Sequence, residues 1–242
     1  MYNSNMEEEP SAVMPISQHL EDLRKVLLRA IIGLIVGVAA GAFFVKPVLN
    51  FFAQSIGGVD KLQVIEVTES MSVYMRVALL IGLIVALPWI FYQLFSFVGK
   101  GLKKAEKRGL LIAIPFATLL FLAGGSFAFF IMLPSALPIL TQFLGITTTI
   151  RVKSYIDFII NLMFWIGISF ELPLIVFILA RLGIVNAKSL LNGWRYALIA
   201  MAILAALITP TVDPINMAIF MLPLFLLYLL SILLAKLAQN KS

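Results

Sequence analysis

The sequence predicts an all-α integral membrane protein with six transmembrane helices, and three observations carry that reading. Of the 242 residues, 62% are hydrophobic and only 12% are charged, and the mean hydropathy is +1.05. A water-soluble domain of that composition would expose more apolar surface than water tolerates. The apolar residues also gather into runs close to the ~20 residues that cross a hydrocarbon core. Between the runs, basic residues collect mainly on one side.

The runs lie at about 26–45, 73–98, 109–133, 154–180, 195–209 and 215–235. Ahead of them, residues 1–14 read as a disordered acidic tail. It lacks the basic stretch, short apolar run and cleavage site of a removable leader, so the first run is expected to stay as an anchor. PISQHLEDLRKVLLR, from Pro15 to Arg29, reads as an amphipathic helix start with Ser17 as N-cap. Leu20, Leu23, Leu27 and Leu28 form its apolar side, and His19, Glu21, Asp22, Arg24 and Lys25 its polar side. Asp22 and Lys25 are placed to pair across one turn. Gly33, Gly37 and Gly41 follow at four-residue spacing, a face on which a second helix can come close. Packing within the chain is the leading expectation for them.

The connection after the first run, about 46–72, is the longest. It holds a turn at Gly57–Asp60 and a β-prone stretch, LQVIEV. A short basic loop, GKGLKKAEKR (99–108), joins the second run to the third. Pro88, Pro115 and Pro173 stand inside the second, third and fourth runs. Each removes an amide donor and frees the carbonyl four residues earlier, so a bend or a new partner is expected there. The fifth run is short for a full crossing and belongs where the bilayer thins or where neighbours bury its end. TPTVDP, fixed by Pro210 and Pro214, turns into the sixth. Residues 237–242 make a short tail, leaving 15–236 as one six-helix transmembrane domain.

Of the 18 Lys and Arg residues, all but Lys46, Lys61, Arg76, Arg151 and Lys153 fall on the side of the two termini. Both termini are therefore expected to be cytoplasmic. The net charge of +6 then belongs to membrane topology and not to a nucleic-acid surface. Absence of cysteine excludes disulfides, thiolate metal sites and cysteine nucleophiles. The single histidine, His19, has no serine or metal partners in a recognisable order, and neither HExxH nor a phosphate-binding glycine loop occurs. The sequence offers no catalytic set, no metal site and no cofactor site.

One residue resists the apolar pattern. In WIGISFELPLIVF (165–177), Glu171 is a carboxylic acid about ten residues, or roughly 15 Å, from the basic end of its helix at Arg181. Insertion scales assign about 2.5–3.5 kcal/mol to an Asp, Lys or Arg at such a depth. Pro173 frees the carbonyl of Ser169, so Ser169 and Glu171 share one short polar region. Two readings stand: a protonated acid bonded to a neighbouring helix, or an acid facing a wet hollow or a partner's polar group, and the second is preferred. The terminal side also offers two carboxylates, Asp22 and Glu106, in an otherwise positive surface. Paired acids suit guanidinium ligands, which bind carboxylates through two parallel bonds. On residues alone, a proton- or ion-coupled small-solute transporter is the rival; the absence of internal repeats and the paucity of other buried charges weigh against it.

HLEDLR (19–24), ALPWIFYQLFSFV (86–98), AEKR (105–108), FIMLPSAL (130–137), SFELP (169–173) and ITPTVDP (208–214) occur in that order. In this the chain resembles the TatC family, the multispanning core subunits of the twin-arginine protein translocase, from Pro15 to about Lys236. The resemblance implies a concave shell with short fifth and sixth helices. It implies a receptor for twin-arginine signal peptides on folded export substrates, working with TatA/TatB-type single-span proteins and the proton-motive force. More than one copy of the chain per complex is compatible with it. It further implies that Asp22 and Glu106 contact the arginine pair, with Arg24, His19, Leu20 and Phe97 on the same recognition face. Glu171 becomes the intramembrane acid that meets a partner helix, and Asp213 an outer-loop acid near the partner-docking helices. Three departures stand out: Asp22 where the family usually has Glu, GKGL where PAL is common, and no proline near Gln54.

Overall fold

The computed structural model describes residues 16–99, 104–142, 149–208 and 214–239. The expected tail 1–14 and the TPTVDP turn up to Asp213 lie outside them. Helix α1 (Ile16–Gly41) runs through a 3-10 turn at Ala42–Phe44 into α2 (Val45–Gln54). Because the helix already includes Ile16, Ser17 lies inside it and is not its cap. The connection expected to start near residue 46 is thus partly helical. Pro47 falls in the first turn of α2, where a missing amide costs little, and α2 buries Val45, Phe52 and Ala53.

A turn follows in which Gly57 (φ 91°) and Gly58 (φ 114°) take left-handed backbone that other residues resist. Of the β-prone LQVIEV stretch, only Leu62–Gln63 (β1) forms a strand. It pairs in parallel with β2 (Ile150–Arg151), Leu62 opposite Ile150 and Gln63 opposite Arg151.

Helix α3 (Glu69–Val98) returns, and α4 (Lys104–Phe127) passes through a π-turn at Ala128–Met132 into α5 (Leu133–Gln142). Pro134 follows that turn; it has no amide to offer the carbonyl of Phe130, which accounts for the widened turn at that point. Helices α6 (Val152–Phe170) and α7 (Leu172–Arg181) make the fourth crossing, interrupted at Glu171. Of the three prolines singled out, Pro88 and Pro115 stay inside unbroken helices. Only Pro173 coincides with a break.

A short helix, α8 (Ala187–Asn192), leads to α9 (Trp194–Ile208) and α10 (Pro214–Gln239). Among the described residues, five helical segments are long and apolar enough to cross a membrane, and α9, with 15 residues, is the shorter sixth. The expectation of a short sixth helix is corrected, because α10 has 26 residues. Its apolar run continues to Lys236, so nothing in its sequence stops it early.

Helix α1 lies along α3; α3 touches α4 and α6, α7 lies along α10, and α10 along α9. Among the described residues α1 and α10 have no extended contact, so the row stays open as a shell rather than closing into a bundle. The alternation of helices puts the start of α1, the α3–α4 connection, α8 and the end of α10 at one end, called here the terminal end. The α2–α3 and α5–α6 connections lie at the other, the loop end.

The α1–α3 contact explains the glycine spacing. A methyl group added at Gly33 would sit 2.2 Å from the Trp89 ring, at Gly37 2.4 Å from the Gly82 carbonyl, and at Gly41 3.0 Å from the Ala78 carbonyl. The three glycines pack within the chain, as expected. Gly124 and Gly167 do the same for α4 on α6. The main core lies toward the loop end. It includes Val45, Phe52, Val77, Phe129, Met132, Tyr155 and Ile159.

Candidate functional site

At the terminal end, the register of α1 on α3 is set by Gly33 at Trp89, Gly37 at Gly82 and Gly41 at Ala78. Continued toward the start of α1, that register sets Arg24 level with the last turn of α3, which holds Phe97. Trp89 fastens it by donating its indole N–H to the Arg29 carbonyl at 3.0 Å. Leu20 is 59% exposed, Arg24 is exposed, and Asp22 and Phe97 are half-buried. His19 lies in α1 and Glu106 in the first turn of α4, but their side chains are outside the described residues. Lys25 does not take Asp22 as its salt-bridge partner; it pairs with Glu21 at 2.8 Å. The i,i+4 spacing and the longer glutamate side chain favour that choice.

Midway along the fourth crossing, Pro173 ends the helical ladder at Glu171. The Glu171 amide donates to the Ile168 carbonyl at 3.0 Å, and the Leu174 and Ile175 amides restart a helix on the Glu171 carbonyl. Ser169 turns its hydroxyl back to the Trp165 carbonyl at 2.8 Å and offers Glu171 nothing. Glu171 is only 6% exposed, and its buried Oε1 has no hydrogen-bond partner. The break packs against α4, where Phe170 faces Gly124 and its ring lies 5.9 Å from that of Phe127. An apolar cavity of about 70 Å³ lies between α3, α4 and α6, walled by Leu80, Phe121 and Met163 among others; Glu171 is not part of its wall. A carboxyl oxygen buried without a bond is a demand that the described residues leave unmet.

The comparisons with known proteins decide what this arrangement belongs to. The profile of the family described as Sec-independent protein translocase protein (TatC) matches residues 18–223. The chain belongs to the TatC family. A TatC protein of Carboxydothermus hydrogenoformans is 38% identical over 239 residues, covering 98% of this chain and 97% of that one. One from Deinococcus radiodurans is 36% identical over 234 residues, covering 93% and 87%. A solved structure titled as the twin arginine translocase receptor TatC matches with a TM-score of 0.78 at 32% identity, covering 91% of this chain and 99% of that one. As a TatC family member, the chain is a multi-pass membrane component of a protein translocase, and the family is not enzymatic.

Two charged constellations in this TatC chain are not visible from its motifs. At the loop end, Glu69 at the start of α3 is 1% exposed. It accepts from the Ile65 amide at 3.0 Å and from Nε of Arg151, while Nη2 of Arg151 reaches Glu66 at 2.7 Å. The hydrogen bonds to Glu66 and Glu69 raise the Arg151 pKa further, so this cation stays charged. Together with the β1–β2 pairing they staple the first loop to the head of α6. Between α3 and α6, Arg76 meets Asp157 at 2.9 Å. The two are in ion-pair contact but out of hydrogen-bond alignment, since Oδ1 of Asp157 has no geometrically sound bond. Among the described residues Glu69 is the one buried acid besides Glu171, and both Glu69 and Asp157 lie beside basic partners far away in the chain.

Proposed function

We propose that this chain is the signal-peptide receptor and core subunit of a twin-arginine translocase. In this reading it binds paired arginines at its cytoplasmic terminal end and assembles with TatA/TatB-type single-span proteins to export folded proteins on the proton-motive force. What supports the proposal is that, in a TatC family member, the HLEDLR turn of α1 and the end of α3 with Phe97 lie at the same end of the chain's helices. Glu106, in the first turn of α4, belongs to that same end. Asp22 and Glu106 are the two acids that would each take a guanidinium by parallel charge-assisted bonds. Arg24, His19, Leu20 and Phe97 shape the ground around them. Asp22 is one methylene shorter than the usual glutamate, so the contact it makes lies closer to α1. Glu171 and Ser169 would serve a partner helix within the membrane, and the unmet Oε1 of Glu171 is the supporting observation. Asp213 would serve partner docking at the outer side.

The test is export of a folded reporter carrying a twin-arginine signal, in cells that depend on this chain. Asp22→Ala and Glu106→Ala should each abolish most export while the protein still accumulates in the membrane. Undiminished export by the double variant would remove the two acids from recognition.

A further inference from the structure

We propose that the terminal-end edge formed by α7, α8, α9 and α10 is a binding site for the headgroup of an anionic phospholipid. Ala180, Ala187, Ala235 and Ala238 form one small buried cluster with Val176, Phe177 and Leu190 packed on it. Arg181, Lys188 and Lys236 each directly follow one of those alanines. Three cations from three helices therefore sit one residue from a single shared core. Arg195 joins them at the start of α9, three residues beyond the last residue of α8.

No Asp or Glu occurs from Leu172 to Ile208 or from Pro214 to Gln239. Among the described residues, none of the four cations has an ion pair with a carboxylate. Aromatic faces hold the two guanidinium groups instead: Arg181 lies 5.5 Å from the Phe177 ring centre, and Arg195 5.8 Å from that of Trp194. A guanidinium held over a ring keeps its N–H edges for an acceptor, and its fork matches two oxygens of a phosphate.

The platform is preformed. Tyr228 of α10 donates to the Leu190 carbonyl at 2.5 Å, and the Asn186 side chain accepts from the Ser189 amide at 2.6 Å. Both bonds pin α8. Around the cations, Leu182, Ile184, Leu191 and Trp194 are exposed, which gives acyl chains and the glycerol region an apolar surround. Cations at the terminal ends of apolar spans, an aromatic residue beside them and no competing acid favour a lipid over a soluble anion.

The test uses the full chain in nanodiscs of equal phosphatidylglycerol and phosphatidylcholine, with co-purifying lipids counted by native mass spectrometry. Phosphatidylglycerol should be enriched on the parent. Each of Arg181→Gln, Lys188→Gln, Arg195→Gln and Lys236→Gln should cut the enrichment about fivefold, since one surface charge contributes on the order of 1 kcal/mol. The fourfold variant should match the bulk mixture. Lys46→Gln with Lys61→Gln, at the loop end, should leave the enrichment intact.

Full enrichment on a fourfold variant that melts like the parent overturns the proposal, and so does equal loss in the loop-end variant. Displacement of the lipid by millimolar inorganic phosphate would assign the site to a free anion instead. Should the fourfold variant fail to fold, Lys188→Gln alone decides, because its side chain is exposed on α8. No signal peptide enters the measurement, so its outcome is independent of the receptor reading.

Discussion

At Gly82 a single methyl group is too much. Its Cβ would lie 2.5 Å from the Val38 backbone, where no side chain can swing aside. Gly82→Ala is expected to destabilise the protein by about 1–3 kcal/mol, as overpacking does. At Gly125 the same methyl would meet only Met163 at 3.6 Å, and Gly125→Ala should stabilise the protein by about 0.5–1 kcal/mol, the helix preference of Ala over Gly. Thermal midpoints in detergent compare the two. The glycine face was legible because its four-residue spacing lies within one helix; its partner on α3 was not. Buried acids divide in the same way. Glu171→Gln should leave the midpoint nearly where it is, because the amide keeps an oxygen to accept from the Phe121 backbone while Oε1 has no bond to lose. Arg151→Gln should lower it, and by more than Arg151→Gln combined with Glu69→Gln, because the single change strands a buried carboxylate. Arg151 and Glu69 stand 82 residues apart, and no local pattern links them. Glu171 stood out in the sequence because its surroundings are continuously apolar, while Glu69 and Asp157 lie near segment ends, where charges are ordinary.

Among the elements, the break between α6 and α7 follows from one residue. With the amide restored, Pro173→Ala should let a single helix run from Val152 to Arg181, and a straight 30-residue helix is about 45 Å long. Spin labels at Lys153 and Leu182 would then report a longer, narrower distance distribution than in the parent; an unchanged distribution would place the cause of the break elsewhere, in the packing of Phe170 on α4. Pro88 and Pro115 carry the same local signal without a break, so proline alone was not a sufficient guide. In those helices the neighbouring ladder bonds hold the course. Helix α2 escaped a reading based on apolar length because ten residues beginning VKP look like a loop. It forms because Pro47 sits in the first turn and because Phe52 and Ala53 find the core. Six spans were legible because hydrocarbon thickness imposes a length on each.

As a whole, the molecule is an open row of helices with its main core toward one end and the HLEDLR and AEKR segments at the other. The order of helices follows from chain connectivity, but the openness of the row does not follow from any single segment. It depends on which faces meet, and those faces are set by small residues at α1–α3 and α4–α6. Asp22 and Glu106 lie 84 residues apart in sequence, and the hairpin geometry of α1, α3 and α4 is what returns both to the terminal end. The central claim, that this end reads an arginine pair, is tested most directly by binding of a labelled signal peptide to the purified chain in detergent. The account predicts tight binding of the Arg-Arg peptide, at least about tenfold weaker binding of its Lys-Lys counterpart, because the parallel bonds are lost, and a comparable loss of Arg-Arg binding in Asp22→Ala and in Glu106→Ala. Equal binding of both peptides, unaffected by either substitution, would contradict it.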